Sequence, residues 1–403
     1  MKIIKGSVTA AKGFYSSGIH CGIKKSKKDL ALIYSSKLCN AAAVYTTNQV
    51  KGEPLYVTMK HIKDGKAQAI IINSGNANTC TGEDGKKKAF MMTDLTSKAL
   101  GIDKENVLVA STGVIGVPLP IGTIENGMDR LVGALGKDEE GNASEAIMTT
   151  DTINKTIALA FSIGDKTVTI GGMAKGSGMI HPNMATMLSF ITTDLNIEQH
   201  LLQEALRESV NKSYNRISVD GDTSTNDMAV ILANGEAQNT LITEKNDHYS
   251  VFLDALNYVN TYLAKLIAKD GEGATKLIEC QVIGANSEET AEILSKSVIK
   301  SNLVKAACFG ADANWGRILC ALGYSNIELD IHKIDVGFES PEGSMTVYQC
   351  GMPIIFDEVK AKKILKAPEI KILVNLNQGD KSAAAWGCDL TYEYVRINGD
   401  YRS

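Results

Sequence analysis

The chain has 403 residues, 44% of them hydrophobic, which is enough for a large buried core and for more than one domain. Its 42 lysines and arginines against 46 acidic residues leave a formal charge of −4, which excludes the broad positive field that binds nucleic acid or an anionic membrane. The opening MKIIKGSVTAAKGF turns polar early and no apolar run reaches membrane-spanning length, so a cytoplasmic protein is expected.

Short apolar runs alternate with amphipathic stretches, without repeats or low-complexity segments, and predict an α/β protein of layered β-sheets flanked by helices. From Thr156 to Ile170 the apolar residues Ile157, Leu159, Phe161 and Ile163 alternate, Gly164-Asp165 makes a turn, and Val168 and Ile170 resume: a β-hairpin. A further strand is expected from Ala185 to about Thr192. Asn196 then has the character of an N-cap for a helix carrying Leu201, Leu202, Ala205, Leu206 and Val210 at three- and four-residue spacing. A second helix carries Phe252, Leu256, Val259, Leu263, Leu266 and Ile267 and is expected to stop at Lys269-Asp270-Gly271, with glycine supplying the terminating angles. The eight cysteines stand singly, with no CxxC pair, and are expected to be free thiols in a reducing compartment.

Familiar catalytic patterns are missing: no GxSxG, HExxH, GxxxxGK[ST] or GxGxxG occurs. The six histidines form no spacing that suits a metal; His200 and His248 read as solvated, and His181 as a structural turn residue. What stands out is a series of segments dense in small and polar residues: INSGNANTCTG, ASTGVIGVPLP, IMTTDT, GGMAKGSGMIHPNMATML, SVDGDTSTND, KDGEGATK and FGADANWGR. Each alone reads as an ordinary turn, because glycine and asparagine are turn residues.

The segment Lys175–Leu188 says most. Gly176, Gly178 and Pro182 forbid regular structure until an apolar strand begins, which puts Thr186 where a constrained turn enters that strand. A threonine hydroxyl needs a base to act as a nucleophile. With no histidine or lysine spaced as an obvious partner, one economical source is the residue's own α-amine, freed by cleavage of the Ala185–Thr186 bond. Such an amine titrates at about 7.7–8, against roughly 10.4 for lysine. The bland alternative is an ordinary strand threonine.

KGSGMIHPNMATML closely resembles the self-cleavage signature of the ornithine acetyltransferase (glutamate N-acetyltransferase) family. The resemblance spans nearly the whole chain: SVTAAKGF, AAAVYTTN, INSGNAN, STGVIG, MTTDT, SVDGDTSTND, KDGEGATK, GADANWGR and YVRINGDYRS follow in order. It implies a fold of the self-cleaving N-terminal-threonine acyltransferase type. The precursor would split into an α chain (1–185) and a β chain (186–403) with a C-terminal subdomain from about 280, assembled as two of each. The implied reaction moves acetyl from N-acetylornithine to glutamate through an acetyl-threonine, in arginine biosynthesis, with no dissociable cofactor. Members differ in whether acetyl-CoA also serves as donor.

By motif, the resemblance makes Thr186 the nucleophile and Thr112 with Gly113 the oxyanion hole, where losing one donor costs about 3–4 kcal/mol of barrier. Substrate contacts would come from Thr149, Lys175, Thr186, Glu272, Asn398 and Ser403. Lys175 suits an α-carboxylate, and Glu272 an amino group or a proton transfer. Against these stand a strand-ending turn at Thr112-Gly113, a surface lysine and a solvated carboxylate. Thr150 and Thr152 compete with Thr149 inside its motif, and the chain ends in Ser403 where members often have threonine. Two rival readings are a related self-cleaving amidase or aminopeptidase, and a non-catalytic anion binder using KDGEGATK.

Overall fold

Alternating apolar residues build the larger sheet of the protein from strands of which both faces are buried. The computed structural model describes residues 1–138, 140–181 and 187–399. In chain order these form β1 (Lys2–Ile4), β2 (Phe14–Ile19), β3 (Leu30–Tyr45), α1 (Glu53–His61), β4 (Lys66–Asn76), α2 (Gly82–Leu100), β5 (Val107–Val114), α3 (Ile121–Gly133), α4 (Asn142–Ala146), β6 (Lys155–Ile163), β7 (Lys166–Lys175), β8 (Leu188–Thr193) and α5 (Gln199–Lys212). Then come β9 (Ile217–Ser218), β10 (Met228–Ala233), α6 (Asp247–Lys269), β11 (Leu277–Ala285), α7 (Glu288–Lys300), α8 (Asn302–Phe309), α9 (Trp315–Gly323), β12 (Asp335–Ser340), β13 (Gly343–Gln349), β14 (Met352–Pro353), α10 (Glu358–Leu365), β15 (Glu369–Asn375), β16 (Lys381–Cys388) and α11 (Tyr392–Asn398).

These elements fall into two units, one of residues 1–176, 182–215 and 223–264, the other of 177–181, 216–222 and 265–403. The first holds a sheet in the order β1-β6-β7-β8-β10-β3-β4-β5, with β2 also on β3. Pairs β8–β10 and β4–β5 are parallel. On β4, Ile70 and Ile72 enter one buried cluster while Ala69 and Ile71 enter the other, as a period of two requires. Ala89 and Met92 of α2 and Ile124, Met128 and Leu131 of α3 close over the second face. The second unit holds the sheet β14-β13-β12-β15-β11-β16-β9. Its core joins Ile278, Cys280 and Val282 of β11 to Leu294 and Val298 of α7 and Ile318 and Leu322 of α9.

The layered α/β expectation holds. The expected hairpin is β6–β7, with Ile163 opposite Lys166 across the Gly164-Asp165 turn. β8 starts at Leu188; Ala185 and Thr186 lie outside the described residues. The helix after it is α5, with Leu201, Leu202, Ala205, Leu206 and Val210 buried, but its cap is Glu198 and not Asn196. Asn196 is taken up elsewhere: its N–H donates to Asn239 Oδ1 at 2.9 Å and its Nδ2 to the Asn239 carbonyl at 3.3 Å. α6 ends at Lys269 as expected, yet Gly271 has no left-handed φ. That position is glycine because a Cβ would lie 2.7 Å from Cys388 Sγ; the left-handed residue is Gly273, at φ 69°.

The eight thiols are free. His200 is exposed and His248 partly exposed. Among the described residues no helix is long and apolar enough to cross a membrane.

Candidate active site

The polar segments INSGNAN and STGVIG are the ends of β4 and β5, which run parallel with Ser74 opposite Thr112 and Gly75 opposite Gly113. At Asn76 the register breaks, and this residue faces both Thr112 and Val114. The break brings two glycine backbones together. Gly113 has φ 134°, and a Cβ there would sit 2.3 Å from the Gly75 carbonyl carbon and 2.5 Å from Asn76 N. Gly75, at φ 94°, leaves room for Lys24, whose Cγ a Cβ would approach to 3.0 Å. Only glycine meets both the angles and the spacing. Asn226, from SVDGDTSTND, locks the two strand ends: its Nδ2 donates to the Ala77 carbonyl at 2.6 Å and the Ser111 carbonyl at 3.0 Å.

Lys175 ends β7 against this bulge. It is 7% exposed, so the surface-lysine alternative fails. Its Nζ lies 3.5 Å from Thr112 Oγ1 and 4.0 Å from Asp151 Oδ2. Asp151 is the anchor of MTTDT: Lys155 Nζ at 2.7 Å, Gly176 N at 2.7 Å and Thr149 N at 2.9 Å all donate to its carboxylate. Burial alone would raise its pKa, but the charges of Lys175 and Lys155 and these hydrogen bonds outweigh it and hold the carboxyl well below the usual range. Asp151 thus keeps Thr149 and Lys175 in one arrangement.

A second amine joins the first. Lys24 Nζ donates to the Met148 carbonyl at 2.6 Å and the Lys28 carbonyl at 2.9 Å. Burial pushes its pKa down to about 8, with Asp29 opposing and the Lys175 charge adding to the shift. Asp227, beside Asn226, is buried, and its Oδ2 has no hydrogen-bond partner among the described residues. Burial drives its pKa well above the ordinary carboxyl value, only partly offset by the Ser224 hydroxyl and the Lys175 charge.

In the second unit Glu272 and Asn398 come together, with Asn398 Nδ2 donating to Glu272 Oε2 at 2.7 Å. Glu272 is 7% exposed, which overturns its reading as a solvated turn carboxylate. Its carboxylate lies where a Cβ on Gly178 would be, at 2.3–2.4 Å. KDGEGATK is not an anion loop: Lys276 Nζ donates to the Cys308 carbonyl at 2.5 Å and the Leu365 carbonyl at 2.8 Å, at the ends of α8 and α10. In GADANWGR, Asn314 caps α9 and Trp315 stacks on Tyr348 at 5.1 Å, which are structural roles. Thr186, Ala185 and Ser403 lie outside the described residues.

Thr112, Gly113 and Lys175 are therefore brought together in the first unit, with Thr149 tied in through Asp151, and Glu272 and Asn398 form a pair within the second. Sequence reasoning missed Lys24, Asp151 and Asp227. Asp151 and Asp227 stood inside conspicuous segments, whereas Lys24, in KKSKK, gave no signal.

The fold and the site define an α/β protein in which Lys175 is buried, and Lys24 partly buried, beside a glycine-bearing bulge. A family model described as the ArgJ family matches residues 15–403, and the chain belongs to that family. The arginine biosynthesis bifunctional protein ArgJ 1 of Clostridium acetobutylicum is 56% identical over 98% of both chains. The arginine biosynthesis bifunctional protein ArgJ of Caldanaerobacter subterraneus subsp. tengcongensis is 52% identical over 100% of both. A crystal structure of the arginine biosynthesis bifunctional protein argJ from Bacillus halodurans is 49% identical, with TM-score 0.51, covering 54% of this chain and 100% of that one.

Proposed function

We propose that this chain is an acetyltransferase of arginine biosynthesis that moves acetyl from N-acetylornithine to glutamate through an ester on Thr186, after cleavage between Ala185 and Thr186. The observation that carries this reading is the buried Lys175 ammonium, 3.5 Å from Thr112 at the Gly113 bulge, in a chain of the ArgJ family. An ammonium in that place suits the α-carboxylate that both substrates share.

In the cleavage, the Thr186 hydroxyl oxygen bonds to the Ala185 carbonyl carbon, the C–N bond breaks and the hydroxyl proton goes to the nitrogen. Water then hydrolyses the ester, leaving the Ala185 carboxylate, a free hydroxyl and a free α-amine. In transfer, that amine takes the hydroxyl proton as the oxygen attacks the acetyl carbonyl. The negative oxygen is stabilised by Thr112 and Gly113, and ornithine leaves with the proton. Glutamate enters the same site and its amine attacks the ester, restoring Thr186. Glu272 and Asn398 receive the amino end of the substrate, and Thr149 and Ser403 complete its contacts.

Two observations support a cleaved enzyme whose parts stay together. Residues 186 onward make up 54% of the chain, the same share that the Bacillus halodurans chain covers over its full length. Strand β7 lies before the bond and β8 after it, paired from Ile170↔Thr193 to Lys175↔Leu188, so α and β chains would share one sheet. We further propose two copies of each, a cytoplasmic location, no dissociable cofactor, and acetyl-CoA as a second donor. Membership of the ArgJ family favours transfer to glutamate over release to water by an amidase.

The test is denatured mass of wild type and Thr186→Ala, with an assay for N-acetylglutamate made from acetylornithine and labelled glutamate. Two chains, the second starting at Thr186, and parallel-line ping-pong kinetics are expected, with the variant whole and inactive. A wild type that stays whole, or releases acetate without making N-acetylglutamate, overturns the reading.

A further inference from the structure

The five residues Ser177–His181, just before the cleavage segment, are held almost entirely by residues that follow it in the chain. Ser177 Oγ donates to the Asp270 carbonyl at 2.7 Å, and the Ser177 carbonyl accepts Glu272 N at 3.0 Å. Val219 N donates to the Ile180 carbonyl at 2.7 Å, and His181 Nδ1 lies 3.1 Å from Ser218 Oγ. At the centre is Asp220. Its carboxylate accepts Met179 N at 2.6 Å on one oxygen and Ile180 N at 2.9 Å on the other.

That double contact is not an ordinary turn stabilised from within. Met179 is a non-glycine residue at φ 56°, a conformation that is disfavoured without outside support. A carboxylate that takes two successive N–H groups fixes the peptide plane between them, because both donors point at one group. Asp220 is itself held, by the N–H of Asp222 at 3.2 Å and the Tyr394 hydroxyl at 3.3 Å. The chain leaves Ile180 in a direction set by these bonds, and only four residues separate His181 from Thr186.

We propose that Asp220 is a positioning residue for self-cleavage: it fixes Met179 and Ile180 so that the segment after them enters the geometry in which the Ala185–Thr186 bond breaks. Once the bond is broken, the same two hydrogen bonds keep the new end of the α chain docked on the β chain. The inference rests on the cleavage reading given above. Asp220 transfers no proton and forms no bond to the reacting atoms; it acts through the backbone it holds.

The full-length wild type, Asp220→Asn and Asp220→Ala are expressed together, and conversion to two chains is followed by denatured mass, with thermal unfolding of each in parallel. Asparagine keeps the size and one acceptor oxygen, alanine neither. The expected order of cleavage rates is graded, about tenfold slower for D220N and about a hundredfold or more for D220A, while folded yield and unfolding temperature of D220N stay near those of wild type. Asparagine's partial rescue separates guidance of the segment from simple loss of fold. Equal cleavage rates in all three, or slowing only in proportion to lost folded protein, overturn the proposal. A wild type that never cleaves overturns the parent reading and this one with it; a wild type that cleaves beside an equally fast D220A overturns this one alone.

Discussion

Asp151→Asn removes the negative centre that holds two buried ammonium groups. Lys155, whose side chain is fully buried, lies 2.7 Å from that carboxylate, and Lys175, 9% exposed at its side chain, lies 4.0 Å from it. Breaking a buried ion pair by neutralising one partner costs about 3–5 kcal/mol, since the charge left behind stays out of water. Asparagine can still accept one of the hydrogen bonds, which puts the expected loss near the lower end. The pH dependence follows from the sign of the shift. Asp151 has a folded pKa below its ordinary value, so its contribution is fully present above the unfolded carboxyl pKa of about 4 and is lost as pH falls further. Urea denaturation of wild type and variant, followed by circular dichroism, should show a gap that is constant from pH 8 to 5 and narrows below pH 4. A gap under about 1 kcal/mol at pH 7, or one that widens on acidification, would refute the assignment of Asp151 as counter-charge.

Two further substitutions probe the site directly. Gly113→Ala places a Cβ 2.3 Å from backbone at a φ of 134°, and by moving the oxyanion donors it should lower kcat for acetyl transfer by about a hundredfold or more, read in the acetylglutamate assay. A kcat within threefold of wild type would show that the bulge is not part of the chemistry. Lys24 loses its charge above a pKa of about 8, so the KM for glutamate should rise in wild type as pH passes that value, whereas Lys24→Met should show a raised KM with no such dependence. Identical pH profiles for the two would remove Lys24 from the substrate's surroundings.

How much of this was legible in sequence depended on the range of the interactions. The β6–β7 hairpin could be read because alternation and the Gly164-Asp165 turn are local, and α5 and α6 because their apolar stripes repeat within a turn or two. The cap of α5 was misread because Asn196 meets an asparagine 43 residues later in the chain, a partner that no local capping rule can see. Gly271 was given the right residue requirement for the wrong reason: Cys388, far along the chain, crowds it.

The candidate site shows the same division. The polar segments stand out in the sequence, since small polar residues between apolar strands mark places where backbone approaches backbone, but each alone reads as a turn, and it is the resemblance to the family that picks Lys175, Thr112, Gly113 and Glu272 out of them. The burial of Lys175 and Glu272, the role of Asp151 as the charge holding Lys175 and Lys155, and the influence of the Lys175 charge on Lys24 arise from contacts that chain order does not reveal. A lysine in a run such as KKSKK looks solvated from its neighbours. Its partial burial comes from packing against Gly75 of β4, and its pKa from that burial, from Asp29 nearby in the chain and from the Lys175 charge more than a hundred residues away, because electrostatics and packing depend on distance in space and not on separation along the chain.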